Sequence, residues 1–278
     1  MENISEAIQK ILIFLNENRG FEFSGYRESM LQRRIKIRIS AINCATYTEY
    51  LMVLKENPEE LNHLIDTLTI NVSRFFRNTL TFEYIADIML PLIIASKNHS
   101  NNEGIRIWCA GCATGEEPYS IAILINELFR KEHFHIPVYI FATDINANVI
   151  TKAKLGVYPF ESIKNMKYRL VDRYFTKIKD GFELVPEIKI MVHFSIYDML
   201  SKKTYVPSES VYGHFDLVLC RNVLIYFNAI QQQLIFEKLY RSLSQKSYLI
   251  LGEAESPPNQ YQGFFKKLTE LSHIYQKY

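Results

Sequence analysis

The sequence predicts an α/β protein: an all-helical front, then a mainly parallel sheet with helices on both faces, interrupted by a small antiparallel β insertion. Three observations carry this. Up to about residue 85 every apolar pattern has helical spacing. From Ile105 onward short apolar runs alternate with amphipathic stretches, the rhythm of a parallel sheet with crossover helices. Between Tyr158 and Phe194 that rhythm lapses around Asp180-Gly181, a hairpin signal. The expected domains are residues 1–85 and 86–278, with 156–194 as the insertion.

In the front, Ile4, Ile8, Ile11, Leu12 and Leu15 mark the buried stripe of a first helix. Leu31, Ile35, Ile39 and Ile42 mark another, which carries the basic run Arg33, Arg34, Lys36 and Arg38 and leaves Arg33 and Lys36 pointing outward. Thr46 with Glu49 fits a capping box for a helix through Leu54. Asn57, Pro58 and Glu60 repeat the start signal before a helix from Leu61 to Leu68. In the second part, Ile105–Cys109, Val138–Ala142, Phe215–Cys220 and Tyr248–Leu251 read as buried strands. Pro118–Phe129, Asn148–Leu155 and Gln231–Leu243 read as helices. The insertion is read as Tyr174–Ile178 and Phe182–Val185, with Ile188–Phe194 as a third strand.

Composition narrows the function. Of 278 residues, 48% are apolar and 22% charged, the balance of a folded chain rather than a disordered one. A net charge of +2 excludes a general polyanion binder, so any basic site must be local. One such stretch is residues 152–179, with eight Lys/Arg against two acids. No apolar run is expected to reach the roughly 18 to 20 residues of a membrane span; the longest candidate, Ile85–Ala95, is short, holds Asp87 and is broken by Pro91. The first ten residues carry acids where a secretory leader needs a basic end. Four cysteines make no disulfide framework. A cytoplasmic, monomeric protein without membrane insertion is the expectation.

The chemistry concentrates in Cys109-Ala-Gly-Cys-Ala-Thr-Gly-Glu-Glu-Pro118, a glycine-bearing turn from a strand into a helix. Gly111 and Gly115 permit a tight turn and close backbone approach to a ligand. This is not the dinucleotide fingerprint G-x-G-x-x-G. Glu116 and Glu117 sit where a helix N-terminus would otherwise receive a phosphate. Carboxylates there would repel one and would suit a ligand with an ammonium and hydroxyls, such as S-adenosylmethionine; they would equally serve to complement the helix dipole. Asp144, ending the second strand, can accept from ribose hydroxyls or cap the next helix. Asp198 can accept from an adenine amine. Cys109-x-x-Cys112 lacks the further ligands of a zinc site, and His133-x-His135 has the wrong spacing, so no metal is expected. The Arg33–Arg38 run is either a solvated face or a docking surface for an acidic partner or nucleic acid.

Five segments occur in a telling order: Asn71-Val-Ser-Arg-Phe-Phe-Arg77, Ile107-Trp-Cys-Ala-Gly-Cys-Ala-Thr-Gly-Glu-Glu-Pro-Tyr-Ser120, Thr143-Asp-Ile145, Cys220-Arg-Asn-Val-Leu-Ile-Tyr-Phe227 and Gly252-Glu-Ala-Glu-Ser256. Together, and over essentially the whole chain, they resemble the chemotaxis receptor glutamate O-methyltransferase family, known as CheR. The resemblance implies a Rossmann-like S-adenosylmethionine-dependent methyltransferase domain behind the helical front. It implies a cofactor site of Asn71, Ser73, Arg77, Glu116, Asp144, Asp198, Met199, Arg221 and Asn222, with Arg77 and Tyr226 flanking the methyl group and the incoming carboxylate. Asp198-Met199 stands where the family often has Asn-Leu; aspartate can still accept from the adenine amine but cannot donate. The implied partner is the helical cytoplasmic part of a methyl-accepting receptor, with S-adenosylhomocysteine as co-product. In some members the insertion also holds a receptor tail by strand addition. Here it is short, and direct docking through the basic helix is expected instead. A methyltransferase acting on nucleic acid or a small molecule is the runner-up, against which Arg-Asn-Val-Leu-Ile-Tyr replaces the Asn/Asp-Pro-Pro-aromatic loop of amino-methylating enzymes. A non-catalytic binding module is the third reading, opposed by the intact set of site residues.

Overall fold

A computed structural model describes residues 3–69, 73–97, 104–132, 136–211 and 213–278. The chain divides into two compact units: Met1–Asn71 with Ile225–Gln232, and Val72–Leu224 with Gln233–Tyr278.

The first unit is helical, with helices Ile4–Arg19, Glu28–Ala41, Tyr47–Glu56 and Pro58–Leu68. Thr46 accepts from the Glu49 amide, and Asn57 accepts from the Glu59 and Glu60 amides with Pro58 in the first turn. The last helix therefore starts three residues before the expected Leu61. Ile8, Ile11, Leu15, Leu31, Ile35, Tyr50, Leu54, Leu61 and Leu64 meet in one core. Inside it Glu60 is buried, and its carboxylate accepts from Arg38 Nε at 3.0 Å, from Arg38 Nη2 at 2.5 Å and from the Tyr50 hydroxyl at 2.7 Å. Arg38 thus leaves the outward basic run, and Arg33 and Lys36 remain exposed. Residues from the far half of the sequence complete this unit. Tyr26 pairs with Phe227, ring centroids 4.5 Å apart, and the Arg27 amide donates to the Tyr226 carbonyl at 2.9 Å.

The second unit holds a seven-stranded sheet of order β6-β2-β1-β7-β8-β10-β9. The strands are β1 Ile105–Ala110, β2 Val138–Asp144, β6 Val192–Ile196, β7 Phe215–Cys220, β8 Leu243–Leu251, β9 Phe265–Lys267 and β10 Ile274–Lys277. β6, β2, β1, β7 and β8 run parallel, and β10 is antiparallel to both β8 and β9. The chain moves outward from β1 to β2 and β6, then returns to β7 on the other side. That reversal is a topological switch point, where open parallel sheets bind ligands at the strands' carboxyl ends.

The insertion is a second sheet, β3-β5-β4, from Val157–Tyr158, Gly181–Leu184 and Phe175–Ile178. Its third strand is thus Val157–Tyr158, whereas of the Ile188–Phe194 run only Val192–Phe194 are strand, in β6 at the edge of the main sheet, and Ile188 lies in the short helix Pro186–Lys189. A β-carbon on Gly181 (φ 151°) would lie 2.5 Å from the Tyr158 carbonyl oxygen, so glycine is what lets β3 approach. Residues 72–85, expected with the helical front, belong to this second unit because Phe75, Phe82 and Ile85 lie in the sheet's core.

A continuous helical run Thr79–Lys97, with a π-helical turn at Ile85–Met89, bridges to β1. This 19-residue run, which contains an 18-residue stretch of mean hydropathy 1.4, reaches the length and apolarity of a membrane span. However, Phe82, Ile85, Met89, Leu90, Ile93 and Ile94 are all in the core beside β1, the placement of a core helix.

Candidate active site

The site is built on the turn after β1. Gly111 and Cys112 both donate to the Thr143 carbonyl, at 2.8 and 2.9 Å, which hooks the loop over the end of β2. Gly111 has φ 74°, and a β-carbon there would lie 2.4 Å from Val223 Cγ2. Gly115 has φ 92° and is hemmed by Ala153, Phe194 and Tyr158. The glycines therefore serve close packing as well as the turn. The following helix, Glu116–Glu132, starts two residues before the expected Pro118, so both glutamates lie in its first turn.

Glu116 is 3% exposed and accepts from Thr114 Oγ1 at 2.7 Å, from Ser162 Oγ at 3.4 Å and from the Ser73 hydroxyl. Burial pushes its carboxyl up, and these donors only partly oppose the shift. Asp144 is also buried; it accepts from the Ala113 amide and the Asn146 amide, both at 3.0 Å. It too is pushed up by burial. Asn146, not Asp144, caps the helix Ala147–Leu155, which removes the capping alternative for the aspartate.

Glu117 faces Arg221, whose Nη1 donates to its carboxylate at 2.9 Å. Burial raises the Glu117 carboxyl, against the opposing charges of Arg221 and Arg77. Arg77 is exposed, on a loop anchored by its neighbours. Phe75 stacks edge-on to Tyr158 and Phe175, and the Phe76 amide donates to Ser120 Oγ at 3.0 Å. Asn222, at φ 59°, donates its amide to Glu255 Oε2 at 2.9 Å, and the Gly252 amide donates to the same oxygen at 2.7 Å. Glu255 therefore ties the ends of β7 and β8 together.

Asp198 follows β6 and turns its loop by accepting from the Leu200 amide at 2.8 Å; Met199 beside it is buried. Lys238 braces this loop by donating to the Ser201 carbonyl, and burial pushes its ammonium down to about 8. Asn71 and the His133-x-His135 pair lie outside the described residues. Tyr226 belongs to the first unit.

Thus Ser73, Arg77, Glu116, Asp144, Arg221 and Asn222 all sit on loops and termini at the carboxyl ends of β1, β2 and β7, or on the segment fixed against them. Glu117, read with Glu116 as a carboxylate for a ligand's ammonium and hydroxyls, pairs instead with Arg221, and Glu255 stands in its motif without an assigned role. Thr114 stands in the glycine-turn motif without an assigned role, and Ser162 and Lys238 carry no sequence signal. Among the described residues no group of three or more His, Cys, Asp or Glu could hold a metal ion. Cys109, Cys112 and Cys220 are buried thiols pushed well up by desolvation, so they stay protonated at neutral pH. A cavity of about 790 Å³ is lined by Phe76, Phe82, Leu124, Leu128, Met166 and Leu170 and by none of the site residues named above.

Residues 6–69 match the family described as CheR methyltransferase, all-alpha domain, and residues 71–272 match CheR methyltransferase, SAM binding domain. The chain belongs to the CheR methyltransferase family. It is 30% identical over 254 residues to the chemotaxis protein methyltransferase of Borreliella burgdorferi, covering 90% of this chain and 88% of that protein. It is 30% identical over 260 residues to the chemotaxis protein methyltransferase of Escherichia coli K12, covering 91% and 85%. It is 29% identical over 236 residues to that of Listeria innocua, covering 85% and 84%. The residues present fit the cofactor of a CheR SAM-binding domain: a glycine turn flanked by the buried carboxyl groups of Glu116 and Asp144 offers acceptors to an ammonium and to hydroxyls.

Proposed function

We propose that this CheR-family chain methylates glutamate side chains on the cytoplasmic helices of chemotaxis receptors, giving methyl esters in the cytoplasm. The observation that carries the reading is the convergence of Glu116, Asp144 and the Arg77 loop on one end of the sheet, within a chain of this family. S-adenosylmethionine, when bound, supplies a methyl group on a cationic sulfur that needs no further activation.

The chain's own residues then have three tasks. Glu116, Asp144, Ser73, Asn71 and Asn222 hold the cofactor, with Asp144 accepting from its hydroxyls and Asp198 from its adenine amine. Arg77 orients the incoming carboxylate by its guanidinium. The family resemblance assigns Tyr226 to the wall beside the methyl. A glutamate side chain has an ordinary pKa of about 4.3 and is ionised at neutral pH, so no general base is required. That accounts for a candidate site without a catalytic histidine. Alignment of carboxylate, carbon and sulfur is the main source of rate.

The test is transfer of a labelled methyl group from S-adenosylmethionine onto purified receptor cytoplasmic domains. Label that is released by mild base and maps to glutamate supports the reading. Label stable to base, or none on any receptor domain, defeats it.

A further inference from the structure

We propose that the buried Glu117–Arg221 pair is a positioning device that fixes the backbone carrying Arg77, and that Arg221 works on Arg77 rather than on the cofactor. This rests on the methyl-transfer reading above and deepens it.

The Arg221 side chain is 3% exposed. Its Nη1 donates to Glu117 Oε2 at 2.9 Å, and its Nη2 donates to the Arg77 carbonyl at 2.8 Å and to Asn78 Oδ1 at 2.5 Å. The guanidinium lies 5.4 Å from the centre of the Phe82 ring. Both terminal nitrogens are therefore committed to protein acceptors, Nη1 to Glu117 and Nη2 to the Arg77–Asn78 segment.

That segment needs fixing. Phe76 (φ 52°) and Asn78 (φ 65°) flank Arg77 in the left-handed region, which L side chains rarely adopt. Such backbone persists where its surroundings over-determine it. Phe76 is held through its amide on Ser120 Oγ, and Asn78 through its Nδ2 on Glu253 Oε1 at 2.5 Å. Arg221 completes the set on the carbonyl of Arg77 itself. Glu117, held in the first turn of its helix, orients the guanidinium fork. A lysine could keep the charge at position 221 but not the planar fork that reaches three acceptors at once.

The experiment compares the wild type, Arg221→Lys, Glu117→Gln and Arg77→Ala, with the double variant Arg77→Ala/Arg221→Lys. It measures receptor methylation rates, S-adenosylhomocysteine affinity by calorimetry, and hydrogen exchange of the Phe76 amide. Arg221→Lys should lower kcat at least tenfold, shift the S-adenosylhomocysteine Kd less than threefold, and speed exchange at Phe76. In the Arg77→Ala background the same change should alter kcat less than twofold. Glu117→Gln, which keeps the shape of the pair, should give a smaller loss of the same kind and stands in if Arg221→Lys does not fold. A Kd that falls away in step with kcat would make Arg221 a cofactor ligand and overturn the proposal. Full additivity with Arg77→Ala, or unchanged kcat and exchange, would also overturn it. Exchange and calorimetry need no methyl acceptor. A wild type that methylates no receptor therefore fails the functional reading, while faster Phe76 exchange in Arg221→Lys would still uphold the pinning of the loop.

Discussion

In our reading Asp144 has two tasks for one carboxylate. It ties the glycine turn to the end of β2 through the Ala113 and Asn146 amides, and it is the residue best placed by the resemblance to accept from a ribose. Asp144→Ala should weaken S-adenosylmethionine binding by about 1 to 3 kcal/mol, the usual range for hydrogen bonds to a charged group; unchanged affinity in a titration would remove it from the site. Glu116 adds a pH dependence. Its carboxyl is raised by burial, and a ligand ammonium would favour the ionised form. Cofactor affinity should therefore fall as pH drops into the range just above the ordinary carboxylate value, and calorimetry from pH 8 to pH 5 should show it. A flat profile would sever Glu116 from the ammonium. Unfolding at these groups would not mimic the effect. Because Glu116, Glu117 and Asp144 have raised folded-state values, their contribution to stability is lost as pH rises through those values and is present below the ordinary ones. For Arg77→Ala the expected signature is a large loss of kcat with little change in cofactor affinity, since its work is on the carboxylate in the transition state. Loss of affinity alone would reassign it.

Among the elements, the helices of the first unit show how a buried charge can set architecture. Glu60 sits in the core with Arg38 and Tyr50 as donors from two other helices. Glu60→Ala would leave the Arg38 charge without its buried partner, a change that costs about 3 to 5 kcal/mol where such pairs have been broken. Denaturant unfolding should show a loss of that order, and a loss below 1 kcal/mol would mean water reaches the pair. Most elements were legible because their signals are local. Capping residues at Thr46 and Asn57, and apolar runs bounded by Gly104 and Gly111 at β1, by Pro137 at β2 and by Gly213 at β7, announce themselves within a few residues. The misreadings share one cause, dependence on distant partners. Ile188–Phe194 reads as a strand of the insertion by adjacency, yet its last residues pair with β2. Val157–Tyr158 is too short to carry a period and forms a strand only because Gly181 lets it approach. Glu116 and Asp144 were found from residue type and position. Thr114, Ser162 and Lys238 were not, since a hydroxyl or a lysine gains its meaning only from the group it meets.

Across the whole molecule, charge is nearly balanced, so any attraction for an acidic receptor helix must come from a local surface. The exposed Arg33 and Lys36 on helix Glu28–Ala41 are that surface in our reading. Reversing both charges should raise the apparent KM for receptor while leaving cofactor affinity unchanged, and the difference should shrink at high salt, where the screening length falls from about 10 Å to about 3 Å. Methylation kinetics unaffected by the reversal would place docking elsewhere. The two compact units do not coincide with two stretches of sequence. Ile225–Gln232 follows β7 along the chain but belongs with the front helices, where Phe227 stacks on Tyr26. Recombination between relatives is therefore not free to cut at the join near residue 70. A hybrid that exchanges the helical front must bring its matching Ile225–Gln232 segment along, so this octapeptide and the front are inherited, in effect, as a single trait written in two places.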